Sequence, residues 1–299
     1  LNKNDHINWL TVSSYNNNNN ISFNSSPFYI TSSIKTLINK FNSILFCSAT
    51  LSINSDFDYF LNELGIEEYD IDKKITCKHY ASNFHLSDQT KLFVMKSNFD
   101  INSDEYYRKI SNLVFKFSES MNKRMLVLCT SYSQIINFKK IIRSKTFKNE
   151  NRYLFQDKIS SKQILLKQYL NNPSSILFGT NTFWEGIDLP EDKLEILLIT
   201  KMPFSNPNAP IIQAKIDYFQ SQGMNSFNDF QLPEAILKLR QGIGRLIRSQ
   251  NDMGVCLLTD PRLLNKKYGS VIIDCLNLNP IIFSDDSLVL MESKKFLGS

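Results

Sequence analysis

The sequence is 299 residues long, enough for about two domains, and its 42% hydrophobic and 21% charged residues give the balance of an ordinary globular chain with a sizeable core. No run approaches the roughly 18 apolar residues of a membrane span, and the opening LNKNDHINWL lacks the apolar stretch of a signal peptide, so a cytoplasmic protein with no membrane partner is expected. The formal net charge of +5 is compatible with a polyanionic partner without requiring one.

Leu1 stands where a natural chain carries Met or a small residue, which leads us to expect a piece of a longer protein. The Asn-rich opening, with five consecutive asparagines at 16–20, reads as a flexible surface loop. Beyond it, short apolar runs begin at Ile44 (ILFC), Lys91 (KLFVM), Arg124 (RMLVLC), Ser174 (SSILFG), Glu195 (EILLIT) and Gly254 (GVCLL). They alternate with helical patterns, which is the signature of a parallel sheet covered by helices. Tyr106, Ile110, Leu113, Val114, Phe117 and Met121 recur at helical spacing behind Asp104 and Glu105, which suit a first turn. Ile135, Phe138 and Ile142 repeat the pattern, with Lys139, Lys140 and Arg143 on a face read as solvated. The five cysteines contain no CxxC pair and read as buried free thiols.

The chemistry concentrates in LPEAILKLRQGIGRLIR. Pro233 suits a helix start, and a step of about 100° per residue carried through the segment gathers Gln241, Arg245 and Arg248 in one sector. Ile236, Leu239, Ile243, Leu246 and Ile247 fall opposite. Gly242 and Gly244 flank the polar face, although each costs on the order of 1 kcal/mol relative to Ala inside a helix, so a close approach to that backbone is expected. A guanidinium offers a permanently charged fork of donors matched to phosphate oxygens, and two on one face suit phosphoryl transfer.

Gln241-Gly-Ile-Gly-Arg245-Leu-Ile-Arg248 resembles motif VI of superfamily 2 helicases. Gly179-Thr-Asn-Thr-Phe-Trp184-Glu-Gly-Ile-Asp188 resembles motif V in the form found in the DinG/XPD branch. Ser48-Ala49-Thr50-Leu51 is similar to motif III, and the segment from Leu126 to Tyr132 to motif IV. Lys201-Met-Pro-Phe-Ser-Asn-Pro and Asp260-Pro-Arg262 match phrases typical of the same branch.

The resemblance implies a pair of RecA-like α/β domains with ATP between them. Residues 1–55 would end the first, with its terminal strand and SAT motif; 56–90 would connect; 91–299 would form the second. It further implies that Arg245 and Arg248 reach the ATP phosphates, that Gln241 couples nucleotide state to closure, and that Glu185, Gly186, Asp188, Gly242 and Gly244 line the nucleotide site. Ser48, Ala49 and Thr50 would couple the two domains. Ser131, Tyr132, Thr180, Asn181 and Thr182 are the candidates for gripping the backbone of single-stranded DNA, independent of sequence.

None of the nine glycines is followed by lysine, so the chain has no P-loop. Its one Asp-Glu pair, Asp104-Glu105, opens a helix rather than ending a strand. The piece alone is therefore expected to lack ATPase activity and metal ligands, with ATP and Mg²⁺ bound in the intact parent through its first RecA-like domain. Members of the branch carry an iron-sulfur cluster or an N-terminal 3′ to 5′ exonuclease in segments that would precede Leu1. The leading expectation is the motor of a 5′ to 3′ DNA helicase of repair or replication. The alternative is a DNA- or nucleotide-binding module that regulates an attached exonuclease without unwinding.

Overall fold

The computed structural model describes residues 6–15, 18–28, 30–65, 75–80, 84–145, 150–157, 161–180, 183 and 194–298. The chain divides into two compact units: Leu1–Tyr80 with Phe204–Leu237, and Ala81–Pro203 with Lys238–Ser299. This differs from the expected uninterrupted second domain over 91–299, because the segment after Pro203 packs with the N-terminal unit.

The N-terminal unit opens with an antiparallel hairpin, β1 (His6–Tyr15) and β2 (Asn18–Pro27), where a flexible loop was expected. The polar composition hid a period-two alternation: Leu10 faces Phe23 and Val12 faces Ile21 across the ladder, on the same side of the ribbon. Helices α1 (Thr31–Ile38) and α2 (Asp58–Leu64) follow, and the excursion Phe204–Leu237 adds helix α7 (Pro210–Ser221). Three contacts explain why α7 belongs here: it packs on β1, Lys215 pairs with Glu63 at 2.9 Å, and Tyr218 meets the Phe28 ring at 5.2 Å. The expected terminal strand at Ile44 is a further correction. Residues 43–48 form no strand, and Leu45 is 89% exposed.

The larger unit is a seven-stranded, wholly parallel sheet. Its strands are β3 (Thr90–Met95), β4 (Met125–Leu128), β5 (Tyr153–Phe155), β6 (Ile176–Gly179), β7 (Ile196–Ile199), β8 (Gly254–Leu258) and β9 (Pro280–Phe283), in the order β5-β6-β4-β7-β8-β3-β9. Five of the six apolar runs become its central strands, because unbroken Val, Ile, Leu and Phe suit a strand covered on both faces. Leu92, Phe93, Val127, Phe178, Leu197 and Leu257 are fully buried.

A short helix, α3 (Leu86–Gln89), leads into β3, and helix α4 (Asp104–Ser120) forms as its spacing predicts, with Ser103 accepting the Tyr106 amide as N-cap. Helix α5 (Tyr132–Lys145) covers the same core, where Tyr107, Phe138, Phe178 and Phe155 form a chain of ring contacts at 5.1, 5.6 and 4.9 Å. Helix α6 (Lys162–Asn171) leads into β6. Cys129, Cys256 and Cys275 are the buried thiols expected, whereas Cys47 and Cys77 are exposed.

Candidate nucleotide and nucleic-acid site

In a parallel α/β sheet the loops leaving the carboxyl ends of the strands form the natural binding edge. Here those exits carry Thr130 after β4, Gln156 after β5, Thr180 after β6, Lys201 after β7 and Asp260 after β8.

The β4 exit runs straight into α5. Gln134 Oε1 accepts both the Thr130 amide at 2.7 Å and its hydroxyl at 3.0 Å, while the Ser131 hydroxyl accepts the Gln134 amide at 3.3 Å and pairs with Ser133 at 2.8 Å. The short side chains of Ser and Thr thus shape the turn locally. Ser131 and Tyr132 are both half-buried.

Thr180 is buried, and both of its donors are committed. Its amide and hydroxyl donate to Gln156 Oε1 at 2.7 and 3.0 Å. Its carbonyl accepts from Phe183 at 2.7 Å. Thr180 therefore anchors the loop instead of offering a proton to a phosphate, which corrects its assignment as a direct hydroxyl contact. Phe183 is fully buried and lies so close to Gly179 that a Cβ there would fall 2.7 Å from the ring. Any side chain at 179 would collide. Asn181, Thr182, Trp184, Glu185, Gly186 and Asp188 lie outside the described residues.

The segment resembling motif VI departs from the expected helix. Helix α8 (Leu232–Ile243) stops before both arginines, and the chain continues in tight turns in which Arg245 donates its amide to Gly242 O at 3.2 Å and Leu246 to Ile243 O at 3.0 Å. Two glycines weaken the helix at this point, and a competing acceptor captures the chain just beyond. Asp252 Oδ2 accepts the amides of Arg248 and Ser249 at 2.6 and 2.8 Å, and its other oxygen accepts the Ser249 hydroxyl at 2.6 Å. Gln89 Nε2 donates to the carbonyls of Ser249, Gln250 and Asp252 at 2.9, 3.2 and 3.0 Å. The single polar sector drawn for Gln241, Arg245 and Arg248 thus does not exist as a helix face. Gln241 and Gly244 are exposed, Gly242 is buried, and Arg245 and Arg248 are half-buried on turns held by backbone hydrogen bonds and by the side chains of Asp252 and Gln89.

Lys162, at the start of α6, lies 5.7 Å over the Phe183 ring. Burial and then the nearby Arg245 charge pull its pKa down, so two cations share this neighbourhood.

The two remaining family phrases stitch strand exits together. Asp260 is almost fully buried, accepts the Met202 amide at 2.8 Å and takes the Arg262 fork at 2.9 and 2.6 Å, tying the β7 exit to the β8 exit. Lys201 donates to Asn102 at 2.7 Å and lies 6.0 Å over the Tyr107 ring, its pKa lowered first by burial and then by Arg262. In the other unit, Ser48 and Ala49 are exposed, and the Ser48 hydroxyl meets the Thr50 amide and hydroxyl, each at 3.3 Å.

Sequence reasoning missed Gln89, Gln156, Lys162 and Asp252. Asp252 follows Arg248 by four residues, where an Asp-closed turn is a recognisable signal. The other three act across long separations and carried none.

Residues 114–278 match the helicase C-terminal domain family, more than half of the chain. The chain belongs to that family. It is 35% identical over 232 residues to the ATP-dependent DNA helicase YoaA of Haemophilus influenzae, covering 78% of this chain and 35% of the relative. It is 36% identical over 233 residues to the ATP-dependent DNA helicase DinG of Photobacterium profundum, covering 77% and 33%. The 3′-5′ exonuclease DinG of Bacillus subtilis is 29% identical over 250 residues, covering 82% and 26%. The chain thus spans about a third or less of these relatives. A solved XPD helicase structure matches 87% of this chain and 46% of its own at a TM-score of 0.61 and 18% identity, and an apo XPD structure reaches 0.62, covering 87% and 53% at 18% identity; both speak to the fold alone.

Proposed function

We propose that this chain is the C-terminal motor domain of an ATP-dependent DNA helicase of 5′ to 3′ polarity, acting in the cytoplasm with the first RecA-like domain of the same parent. In this reading Arg245 and Arg248 face the phosphates of ATP, and the loops leaving β4 and β6 follow the backbone of single-stranded DNA. The observation that carries it is the fixed turn under Arg248. Asp252 and Gln89 hold the backbone from 248 to 252 in place through hydrogen bonds within the chain. A guanidinium mounted on such a support stabilises developing charge with little reorganisation, which is where electrostatic catalysis gains most.

ATP and Mg²⁺ would be held through the parent's first motor domain, since this chain carries no P-loop. The donor set here, Arg245, Arg248 and Lys162, fits a polyphosphate and not a cation. Gln241, Gly242 and Gly244 would stand beside the nucleotide, and Ser48, Ala49 and Thr50 would transmit its state. Removing a guanidinium of this kind typically costs about 10³-fold or more in turnover. Arg245→Ala in the intact parent should therefore abolish most DNA-stimulated ATP hydrolysis; full activity in that variant would sink the role.

The similarity to proteins named 3′-5′ exonuclease DinG favours a second reading, in which the domain regulates an attached nuclease without unwinding. Strand displacement by the intact parent on 5′- and 3′-tailed duplexes separates the two. Unwinding of the 5′-tailed substrate supports the motor. Nucleotide-sensitive nuclease activity with no displacement on either substrate supports the regulator.

A further inference from the structure

The carboxyl ends of three adjacent strands, β5, β6 and β4, converge on one side chain. Gln156 follows β5 directly and is nearly buried. Its own amide donates to Phe178 O on β6 at 2.9 Å, while Oε1 takes both donors of Thr180 and Nε2 donates to the Tyr132 hydroxyl at 3.1 Å. The orientation of the amide is forced. The Thr180 N–H can only donate, so the oxygen must face it and the nitrogen must face Tyr132.

This has a consequence for the phenol. A hydroxyl oxygen that accepts a hydrogen bond from an amide turns its own proton away from that amide, and accepting one bond strengthens the one it gives. Tyr132 is half-buried at the first turn of α5, and Gln156 leaves its proton pointing elsewhere. The β4 exit has a similar clamp, Gln134 on Thr130 at the same two distances, but that glutamine lies only four residues away and holds its own loop. Gln156 reaches across strands, which a device serving one loop does not need.

We propose that Gln156 is a positioning residue for nucleic-acid binding: it fixes the β6 exit through Thr180 and orients the Tyr132 hydroxyl to donate to a backbone phosphate oxygen. The inference rests on the reading above that DNA follows these loops. It shifts the contact from Thr180, whose donors are used, to Tyr132.

The test uses the intact parent and a labelled oligothymidine, with dissociation constants measured at several salt concentrations alongside the melting temperature and the KM for ATP. Tyr132→Phe removes the hydroxyl, both the proton it would donate and the acceptor for Gln156 Nε2, and should weaken binding roughly tenfold, the scale of one hydrogen bond to a charged oxygen. Gln156→Glu keeps an acceptor for Thr180 but replaces the donor facing Tyr132 with a second acceptor, so the phenol turns inward. It should match the Tyr132→Phe loss with an unchanged melting temperature, and add nothing further in the Tyr132→Phe background. Wild-type affinity for Gln156→Glu, or losses that multiply in the double variant, would overturn the positioning role while leaving Tyr132 as a contact. Wild-type affinity for Tyr132→Phe itself would overturn the placement of DNA on this loop, and the inference with it.

Discussion

The apolar runs at residues 44–47 and 91–95 look alike in sequence, yet Phe93 is fully buried and Leu45 is 89% exposed. The difference lies in their neighbours. Residues 90–95 form a strand with β8 on one side and β9 on the other, which satisfy its backbone and let helices cover its faces. Residues 43–48 have no strand partner among the described residues, and although Phe46 meets the Phe60 ring at 5.6 Å, Leu45 stays in water. Hydrophobic patterning reports a tendency to be buried; a strand also needs a ladder.

The largest expected effect follows directly. Phe178 lies in the ring cluster of the larger unit, stacked on Phe155 at 4.9 Å and tilted against Phe138 at 5.6 Å. Phe178→Ala should cost about 3–5 kcal/mol, and Leu45→Ala should stay within about 0.5 kcal/mol. Denaturant unfolding of the 299-residue chain measures both. Comparable losses at the two positions would erase the contrast between the units.

A second contrast concerns ion pairs, and its expected size is smaller. In the larger unit Asp286, at the start of the helix Asp286–Leu297, receives Lys109 and Lys116 from α4, each at 2.8 Å, with its own side chain nearly buried. Burial alone would raise its pKa, but the two lysine hydrogen bonds and charges outweigh burial and leave it below the usual aspartate value. A depressed folded pKa stabilises above the unfolded value, near 3.9, and that contribution fades as the pH falls through the folded value. Asp286→Asn should therefore cost about 1–3 kcal/mol at pH 7, and the gap to wild type should shrink below about pH 4. The pair Lys215–Glu63 in the other unit is more exposed, and Glu63→Gln should cost at most about 1 kcal/mol there. A gap for Asp286→Asn that widened on acidification would reverse the assignment.

These contrasts mark how far the sequence could be read. The parallel sheet was legible because five runs carry unbroken β-branched and aliphatic residues, and α4 and α5 because Tyr106, Ile110, Phe117, Phe138 and Ile142 keep helical spacing. The site was legible as residue types and less so as geometry. The spacing of Gln241, Arg245 and Arg248 suggested one helical face, but two glycines and the carboxylate of Asp252 end the helix at Ile243. Thr180 read as a hydroxyl facing a phosphate, and Gln156, 24 residues away, takes both of its donors. Local pattern does not encode such long-range amide contacts.

The smallest expected effect tests the hairpin, where the sequence misled most. Leu10 and Phe23 face each other across β1 and β2 and are 63% and 71% exposed, with Val12 and Ile21 beside them on the same face. A cross-strand pair of this kind is worth roughly 0.2–1 kcal/mol, far less than burying either ring, because most of the apolar surface stays in water in both the folded and the unfolded chain. Replacing both residues by Ser should thus lower the stability of the 299-residue chain by no more than about 1 kcal/mol. The same change removes two exposed apolar side chains from one face of the ribbon, so concentration-dependent light scattering should fall. A loss comparable to Phe178→Ala would mean that this face is packed in solution, and the distinction between the two units would then have to be drawn elsewhere.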